Sequence, residues 1–298
     1  MAVMMHLRIR PRVGYTLIEL LTAIAVIGIL VGLTLSAVQS ARGAAVRIAC
    51  ANNLRQLGMA CHHYHDQYGS LPKAYGSAPE LGPNRVQTWP VLILPFLEQD
   101  NLWNQSLAAH RADNIDFHNP PHVGLATVVK VYTCPADGRL LAPITDDKGY
   151  TAAYGSYVGV AGSDRANGAF RAQFGVRIGE VLDGTSSTLL IGEKPPWGRY
   201  LDGNWYTIST PGTDPNTGPG ISYLQVFFPA GTAGCAGPIR FGPGRIDNRC
   251  DNTHFWSLHA GGANFAFADG SVHFLRYSAE PVMIALATRA GGEVVEIP

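Results

Sequence analysis

Residues 15–38 read YTLIELLTAIAVIGILVGLTLSAV, and Glu19 is the only charged side chain in these 24 residues. As an α-helix the run would be about 36 Å long, whereas the hydrocarbon core of a bilayer is about 30 Å thick. The length and composition of the run therefore predict a helix that spans a membrane with some tilt.

The residues before this run are basic. Residues 1–14 read MAVMMHLRIRPRVG and contain Arg8, Arg10 and Arg12 but no acidic side chain. Because cationic flanks stay on the cytoplasmic side of a membrane, the sequence predicts a single pass, with everything after residue 38 outside the cytoplasm. A basic leader before an apolar run is also typical of targeting segments.

Glu19 is unusual in an apolar run, since a carboxylate at mid-bilayer costs about 2.5 to 3.5 kcal/mol or more on insertion scales. The leader ending in Gly14, followed by YTLIE, resembles the class III signal of type IV pilins and type II secretion pseudopilins. The resemblance implies that prepilin peptidase cleaves after Gly14 and that the new amino terminus, Tyr15, is methylated. It also implies that Glu19, the fifth residue of the mature chain, pairs with the amino terminus of a neighbouring subunit.

Two plainer interpretations of the amino terminus stay open at this point. The segment is either an ordinary secretory signal, cleaved near residues 36–41, or a permanent membrane anchor. Secretory signals normally carry an uncharged apolar region of about 7 to 15 residues, which this run exceeds. Ser36 stands where the pilin relatives usually have proline, so we expect the helix to continue unbroken through this position.

The helix is expected to continue beyond the membrane as an amphipathic stretch over residues 39–68. Seven side chains recur at helical spacing and define one apolar face: Val46, Cys50, Leu54, Leu57, Cys61, Tyr64 and Tyr68. Gly69 then ends the helix. The predicted organisation is a leader at 1–14, a membrane-spanning half-helix at 15–38, an amphipathic half-helix and a head at 69–298.

From about residue 70 the sequence changes to short apolar runs separated by Gly, Pro, Asn and Asp, which predicts strands and turns. The runs are TWPVLILPFLEQ (88–99), ATVVKVYTCPADG (126–138), AYGSYVGVAG (153–162), STLLIGE (187–193), SYLQVFF (222–228) and ANFAFADGSVHFLR (263–276). Helical periodicity recurs at 94–108 and 280–292, and a Gly/Pro-rich insertion lies near 208–220. The predicted fold class is α+β and pilin-like, with the long helix packed on an antiparallel β-sheet head that carries loop-rich insertions.

Asp269-Gly270 lies between two alternating runs and predicts a tight type I′ hairpin turn. With His259 ten residues before Asp269, the segment resembles the H-x9-DG carboxy-terminal signature of the DUF1559 family, which also carries the prepilin signal. Further segments extend the resemblance over nearly the whole chain: RIACANNLRQLGMACHHYHD (47–66), WPVLILPFLEQ (89–99), YTCPADG (132–138), DGTSSTLLIGE (183–193) and ALATRAGGEVV (285–295). The family consists of envelope proteins without an established activity, so the resemblance implies a class of protein and no reaction.

His259, Asp269 and Glu193 carry side chains that bind metals or transfer protons, and they form one candidate site. The simpler interpretation, which we favour, is that His259 hydrogen-bonds a carboxylate or carbonyl and fixes the hairpin to the sheet. No cofactor is predicted; Ca²⁺ bound by Asp269 or by loop Asp and Asn residues is a minor alternative that the resemblance to major pseudopilins implies. HHYHD at 62–66 lacks the i, i+4 histidine pair of a metalloprotease and is interpreted as a helix end.

The charge balance excludes a chain that is strongly basic as a whole, as a nucleic-acid-binding protein of the histone type would be. The chain has 22 basic and 22 acidic side chains, and loss of the three leader arginines leaves 19 against 22, a mature charge of −3. Because phosphate neutralisation dominates nucleic-acid binding, no nucleic-acid partner is predicted. The sequence contains no GxSxG elbow, Walker A loop, dinucleotide-binding GxGxxG or Cys–His nucleophile pair, and no enzymatic activity is predicted.

Five cysteines lie at 50, 61, 134, 235 and 250, none of them in a CxxC pair, so zinc ribbons and thioredoxin-like motifs are disfavoured. Outside the cytoplasm, Cys235 and Cys250 would close the Gly/Pro-rich loop between them, with a gain of about 3 kcal/mol. Cys50 and Cys134 are the second predicted pair, joining the helix to the head. Cys61 shares the helix face of Cys50, so either could face the sheet, and we predict that Cys61 is the buried free thiol.

We therefore expect a pilin-like or pseudopilin-like envelope protein in the bacterial inner membrane, with its head in the periplasm or the extracellular space. Its expected partners are prepilin peptidase, the membrane and other pilin-like subunits that pack through the N-terminal helix in a type II secretion or type IV pilus-like filament. An alternative is a membrane-anchored module that binds a glycan or another exported ligand through Trp197, Trp205 and Trp256. A metal-dependent envelope enzyme is a third and weaker hypothesis.

Overall fold

The computed structural model describes residues 14, 16–77, 86–145, 149–164, 166–172, 174–197, 203–207, 223–229, 234–293 and 295. The chain divides into two units, Met1–Ala45 and Val46–Pro298. Except for Gly14, the predicted leader lies outside the described residues, as do Tyr15 and the insertion near 208–220.

The first unit contains the start of one long helix, α1 (Leu17–Tyr68), which has 52 residues. Within Met1–Ala45 its large apolar side chains are all between 54% and 79% exposed. The helix is long and apolar enough to cross a membrane. Ser36 Oγ donates to Leu33 O at 2.9 Å, and the helix continues through this position as predicted.

The second unit begins with the remainder of α1, from Val46 onward. Its buried residues form one stripe at helical spacing: Cys50, Leu54, Leu57, Gly58, Ala60, Cys61 and Tyr64. Gly69 follows the last helical residue with a φ of 76°, and its N–H donates to His65 O at 2.7 Å. This glycine cap ends the helix where the sequence predicted it.

The described part of the second unit contains eleven strands. They are β1 (Tyr75–Ser77), β2 (Val86–Thr88), β3 (Ile144–Thr145), β4 (Thr151–Ala152), β5 (Tyr157–Gly162), β6 (Leu189–Glu193), β7 (Tyr223–Gln225), β8 (Phe227–Phe228), β9 (Ile239–Arg240), β10 (Gly262–Phe267) and β11 (Val272–Arg276). The main sheet has five strands in the order β11-β10-β6-β5-β7, and three antiparallel pairs, β1–β2, β3–β4 and β8–β9, lie outside it.

The α+β fold class is confirmed, but the main sheet is mixed. Its pairs β10–β11, β10–β6 and β5–β6 are antiparallel, whereas β5 and β7 are parallel. The prediction of an antiparallel sheet is therefore wrong at this one pair. A strand can return in the same direction only after a long connection, and 60 residues separate Gly162 from Tyr223.

The β10–β11 hairpin has a different turn from the predicted one. Phe267 N–H donates to Ser271 O at 2.8 Å, so residues 268–270 form a three-residue loop. Gly270 has a φ of 85°, whereas Asp269 does not have a positive φ. A type I′ turn needs positive φ at both central residues, while a three-residue loop needs it only at the last, so the type I′ prediction is wrong.

Where the structure describes the head, it also contains three shorter α-helices: α2 (Trp89–Leu92), α3 (Asp100–Ala112) and α4 (Met283–Ala287). Of these, α3 and α4 overlap the predicted helical regions. Short 3-10 helices lie at Leu94–Leu97, Val123–Ala126, Lys130–Tyr132, Gly138–Leu141, Ile178–Glu180, Arg249–Thr253 and Tyr277–Val282.

Two runs that were predicted as strands are not strands. Within 88–99 only Thr88 is extended, and the run continues as α2 and a 3-10 turn, while 126–138 contains a 3-10 turn and no strand. Pro90 and Pro95 each lie in the first turn of a helical segment. Proline is favoured there because its missing N–H has no helical partner to lose and its φ is already helical.

The core lies around the central strands of the main sheet. Every residue of β5, β6 and β10 is buried. The largest side chains with less than 2% exposure are Trp89, Trp205, Tyr157, Tyr206, Phe170, Phe255, Phe265 and Phe267. Because both faces of these strands are covered, polar side chains on them must find partners inside the protein.

Candidate functional site

Both predicted disulfides are present, Cys50–Cys134 with a Cα–Cα distance of 5.2 Å and Cys235–Cys250 with one of 5.8 Å. The first bond joins α1 to the segment that follows Tyr132, and Asn53 Nδ2 donates to Thr133 O at 2.9 Å beside it. Cys61 is free and buried, as predicted, and burial raises the pKa of its thiol.

Two side chains that the sequence singled out flank the Cys50–Cys134 bond. His259 Nε2 lies 3.6 Å from Cys134 Sγ and 3.4 Å from Glu193 Oε1. One potential ligand atom from each of these four residues lies within 4.8 Å of the others. We call Cys50, Cys134, Glu193 and His259 the disulfide cluster.

Glu193 occupies the last position of β6 and is 1% exposed. The neighbouring strand β10 supplies two donors: Asn264 N–H donates to Glu193 Oε2 at 2.7 Å, and Asn264 Nδ2 donates to Glu193 Oε1 at 3.0 Å. A buried carboxylate is stable only when its oxygens are hydrogen-bonded or paired, and these two bonds fix the orientation of the carboxylate towards His259.

Two serines position the other members of the disulfide cluster. Ser257 Oγ accepts from His259 N–H at 3.0 Å and donates to Gly262 O at 2.6 Å. Cys134 N–H donates to Ser156 Oγ at 3.0 Å. A small cavity adjoins the cluster and is lined by Cys134, Asp137, Ser156, Glu193, Pro195, Ser257 and Leu258.

Tyr157 of β5 covers the cluster from the sheet side. Its hydroxyl donates to Cys50 O at 3.3 Å and accepts from Asn53 Nδ2 at 3.3 Å. Burial, and to a lesser degree the charge of Glu193, raises the pKa of Tyr157 well above its ordinary value, against a smaller effect of the Asn53 bond. The phenol therefore stays neutral and holds α1 against the sheet as a hydrogen-bond donor.

The three-residue site proposed from the sequence is only partly assembled. His259 and Glu193 meet at one end of β10, whereas Asp269 is exposed in the loop beyond the other end. Six residues of strand span about 20 Å, which is too far for a shared ligand. Asp269 Oδ1 instead accepts from Ser271 N–H at 2.8 Å within its own loop, so the site that included Asp269 is not formed.

The sequence reasoning missed two members of this environment. The sequence predicts the Cys50–Cys134 bond but not its position beside His259, because residues 50 and 259 meet only through the packing of α1 on the sheet. The second is Asn264, a polar side chain inside the apolar run ANFAF. A polar residue in a strand that is buried on both faces is itself a signal that a buried polar partner lies nearby.

The other residues that the sequence singled out are the HHYHD segment and the tryptophans, and their surroundings indicate structural roles. In HHYHD (62–66), His63 is exposed and His65 Nε2 accepts from Ile178 N–H at 3.3 Å, in keeping with a helix end. Trp205 and Trp256 are 1% and 3% exposed. Buried indoles cannot stack on a ligand at the surface. Two of the three tryptophans predicted to bind a glycan or another exported ligand are therefore not accessible to one.

The start of α1 contains a contact that the sequence reasoning did not identify. Thr16 N–H and Thr16 Oγ1 both donate to Glu19 Oε2, at 2.8 Å and 2.9 Å, and Glu19 N–H donates to Thr16 Oγ1 at 3.3 Å. This reciprocal arrangement is a capping box, for which T-x-x-E is the sequence signal. Gly14 lies before it and is exposed.

An apolar helix followed by a disulfide-bonded α+β head is compatible with a membrane-anchored envelope protein, and the helix also fits a signal sequence. The model of the family described as protein of unknown function (DUF1559) matches residues 39–282. The chain therefore belongs to the DUF1559 family, as the sequence motifs predicted. No curated protein and no solved structure matches the chain.

Proposed function

We propose that the chain is a pilin-like envelope protein whose leader is removed by prepilin peptidase between Gly14 and Tyr15. The observation that carries this proposal is the exposed apolar helix that begins at Leu17 and contains Glu19 as its sole charged side chain before Arg42. Gly14 precedes the helix, and among the described residues no atom lies within 4 Å of the position of an added Cβ. Backbone of this kind is open to a peptidase.

The energetics of Glu19 favour a partner in the membrane. Within one chain Glu19 caps its own helix through Thr16. A positively charged amino terminus of a second subunit close to Glu19 would attract the carboxylate. This attraction would offset part of the cost of removing both charges from water, so pairing between subunits makes a carboxylate in the bilayer less unfavourable.

We place the mature chain in the bacterial inner membrane as a single-pass protein with its head outside the cytoplasm. The basic leader and the two disulfides support this orientation, because disulfides persist in oxidising compartments. The chain either stays there or joins a type II secretion or type IV pilus-like filament through its N-terminal helix. Its role in this proposal is assembly and binding, without a catalytic reaction.

Amino-terminal sequencing and mass spectrometry of the full chain, expressed with a prepilin peptidase, test the processing step. We expect a mature chain that begins at Tyr15 and carries one added methyl group. Gly14→Val should abolish cleavage, while the matched control Gly28→Val, which also has no neighbour within 4 Å, should be cleaved normally. A start near residue 41 would identify an ordinary secretory signal, and an intact amino terminus would identify a plain anchor; either contradicts the proposal.

Filament assembly needs a separate measurement. The wild-type chain should be present in sheared surface fibres, and Glu19→Ala should be cleaved and remain in the membrane fraction but be lost from the fibres. The control Glu180→Ala changes an exposed carboxylate of the head and should assemble normally. A wild-type chain found only in the membrane fraction refutes filament assembly and leaves the role of a permanent anchor.

A further inference from the structure

The disulfide cluster holds the donor set of a zinc site. A sulfur from each of Cys50 and Cys134, a ring nitrogen from His259 and a carboxylate oxygen from Glu193 all lie within 4.8 Å of one another. Two thiolates, one imidazole and one carboxylate are donors that Zn²⁺ takes in tetrahedral sites. In the disulfide form the two sulfurs are bonded to each other and cannot bind a metal ion as two thiolates.

Two separations between the donors, both involving His259, agree with the geometry of zinc. With Zn–S near 2.3 Å, Zn–N near 2.05 Å and Zn–O near 2.1 Å, a tetrahedral ion places sulfur and nitrogen about 3.6 Å apart and nitrogen and oxygen about 3.4 Å apart. The structure has His259 Nε2 at 3.6 Å from Cys134 Sγ and at 3.4 Å from Glu193 Oε1. A tetrahedral ion would also place the two sulfurs about 3.8 Å apart. After the disulfide is opened, the sulfurs must therefore separate, and any donor pair near the upper limit of 4.8 Å must close by about 1 Å.

We propose that the reduced form of this chain binds one Zn²⁺ ion through Cys50, Cys134, Glu193 and His259, and that disulfide formation excludes the ion. A dithiol reductant opens the bond: its two thiols become a disulfide, and Cys50 and Cys134 become two thiols. Zinc binding then releases two protons, one from each thiol, while His259 binds as the neutral imidazole. Reoxidation by a small-molecule disulfide transfers two electrons from the thiolates to that disulfide, which takes up two protons and becomes two thiols, while the Cys50–Cys134 bond forms again and the metal ion is freed.

The surroundings of the cluster suit a metal site. Asn264 holds both oxygens of Glu193, and Ser257 holds the backbone of His259, so two donors are fixed in position by neighbours that do not bind the metal. Such outer contacts typically change metal affinity by about 10- to 100-fold. Cys50 is fully buried and Cys134 is 6% exposed, so a bound ion would be shielded from bulk water.

Zinc would replace the disulfide as the link between α1 and the head. The ion would join Cys50 of the helix to Cys134, to the end of β6 and to the segment before β10. The head would then have a cross-link at this position under both reducing and oxidising conditions. This inference concerns the second unit alone and does not depend on how the amino terminus is processed.

The test uses the full chain in detergent with Cys235→Ser and Cys250→Ser, so that Cys50–Cys134 is the one disulfide left to reduce. Each protein is first purified oxidised, and disulfide mapping together with near-ultraviolet circular dichroism establishes that it is folded. It is then reduced with a phosphine under anaerobic conditions and titrated with Zn²⁺ against a chromophoric chelator. Co²⁺ is added to a parallel sample, because a tetrahedral site with two thiolates gives intense visible and thiolate charge-transfer absorption.

We expect about one zinc ion per reduced chain and none per oxidised chain, since four protein donors fill a tetrahedral site. His259→Ala and Glu193→Gln should weaken binding by roughly 100-fold or more, and Asn264→Ala by about tenfold. The controls His273→Ala and Glu180→Gln alter exposed side chains and should bind as tightly as the parent.

The proposal is overturned if the reduced parent retains no zinc, or if His259→Ala and Glu193→Gln bind as tightly as the controls, which would mean capture by thiols alone. If either variant fails to fold when oxidised, the cobalt spectrum of the parent decides: tetrahedral absorption with thiolate charge transfer supports the site, and an octahedral spectrum without it refutes the site.

Discussion

Removal of the Cys50–Cys134 disulfide is expected to destabilise the head more than removal of Cys235–Cys250. The first bond spans a sequence separation of 84 residues and the second one of 15. If the bonds act by limiting the freedom of the unfolded chain, these loops correspond to about 4.5 and about 3 kcal/mol. The pair of substitutions Cys50→Ala and Cys134→Ala should therefore cost about 1.5 kcal/mol more than Cys235→Ala and Cys250→Ala.

Packing adds to this difference in the same direction. Cys50 is fully buried and Cys134 is 6% exposed, whereas Cys250 is only half-buried, so the first pair also removes sulfur atoms from the core. Thermal unfolding of the full chain in detergent, followed by tryptophan fluorescence, measures both variants. For a unit of this size 1 kcal/mol corresponds to about 2 to 4 °C, so the first variant should lose about 10 °C or more.

The decisive result is which of the two variants loses more thermal stability. If the Cys235→Ala, Cys250→Ala variant loses as much stability as the Cys50→Ala, Cys134→Ala variant, then loop length and burial do not govern the contribution of these bonds. Mass spectrometry of alkylated, unreduced protein serves as the control, because it establishes that each variant retains the other disulfide.

Three further predictions concern single residues of the head. Burial lowers the pKa of His254 from 6.5 to about 4, so the unfolded chain takes up the proton first as the pH falls, and stability is lost through this window. Between about pH 7 and pH 5 this residue should lower the free energy of unfolding by about 2 kcal/mol. In urea titrations at several pH values, His254→Gln should remove that part of the dependence of the free energy of unfolding on pH. An unchanged dependence contradicts the assignment to His254. Gly270→Ala should cost about 1 to 2 kcal/mol because of its φ of 85°, while Gly138→Ala, at an unstrained position with no neighbour within 4 Å, should be nearly neutral in the same titrations. Because burial raises the pKa of the Cys61 thiol, a maleimide at pH 8 should not label the native protein and should label one thiol per chain after denaturation; labelling of the native protein would place Cys61 at the surface.

Local sequence patterns predicted much of the fold correctly. Three local signals depend only on neighbours a few residues away: the apolar run before residue 38, the helical spacing from Val46 to Tyr64 and the glycine at 69. For this reason α1 and its end were predicted correctly. The Cys235–Cys250 disulfide followed from the sequence, because the pair brackets a short loop. Helical spacing left Cys50 and Cys61 equivalent, and the prediction that Cys50 bonds Cys134 is confirmed by the structure.

The errors came where distant parts of the chain decide the structure. The run around Pro90 and Pro95 is as apolar as a strand, yet it folds into helical turns that fit the core. Asp269-Gly270 fits both a two-residue and a three-residue loop, and the pairing of β10 with β11 selects the latter. The parallel pairing of β7 depends on the path of the chain after β6, which local periodicity does not report.

The candidate site shows the same division. The residues His259 and Glu193 could be named from the sequence, since their side-chain chemistry is visible there. Their contact with Cys134 depends on how three separate elements pack, and that packing also excludes Asp269. Side-chain type therefore predicts the members of a site more reliably than it predicts which of them meet.

The position of Cys50 along α1 has a mechanical consequence. Cys50 is the first of the buried residues of this helix, and the others follow it towards Tyr64. A pull on the helix from its amino-terminal end would otherwise peel these contacts away one after another, which requires little force at any moment. The covalent bond to Cys134 lies at the first of these buried residues, so tension along the helix passes through the bond into the head before the contacts from Leu54 to Tyr64 are lost.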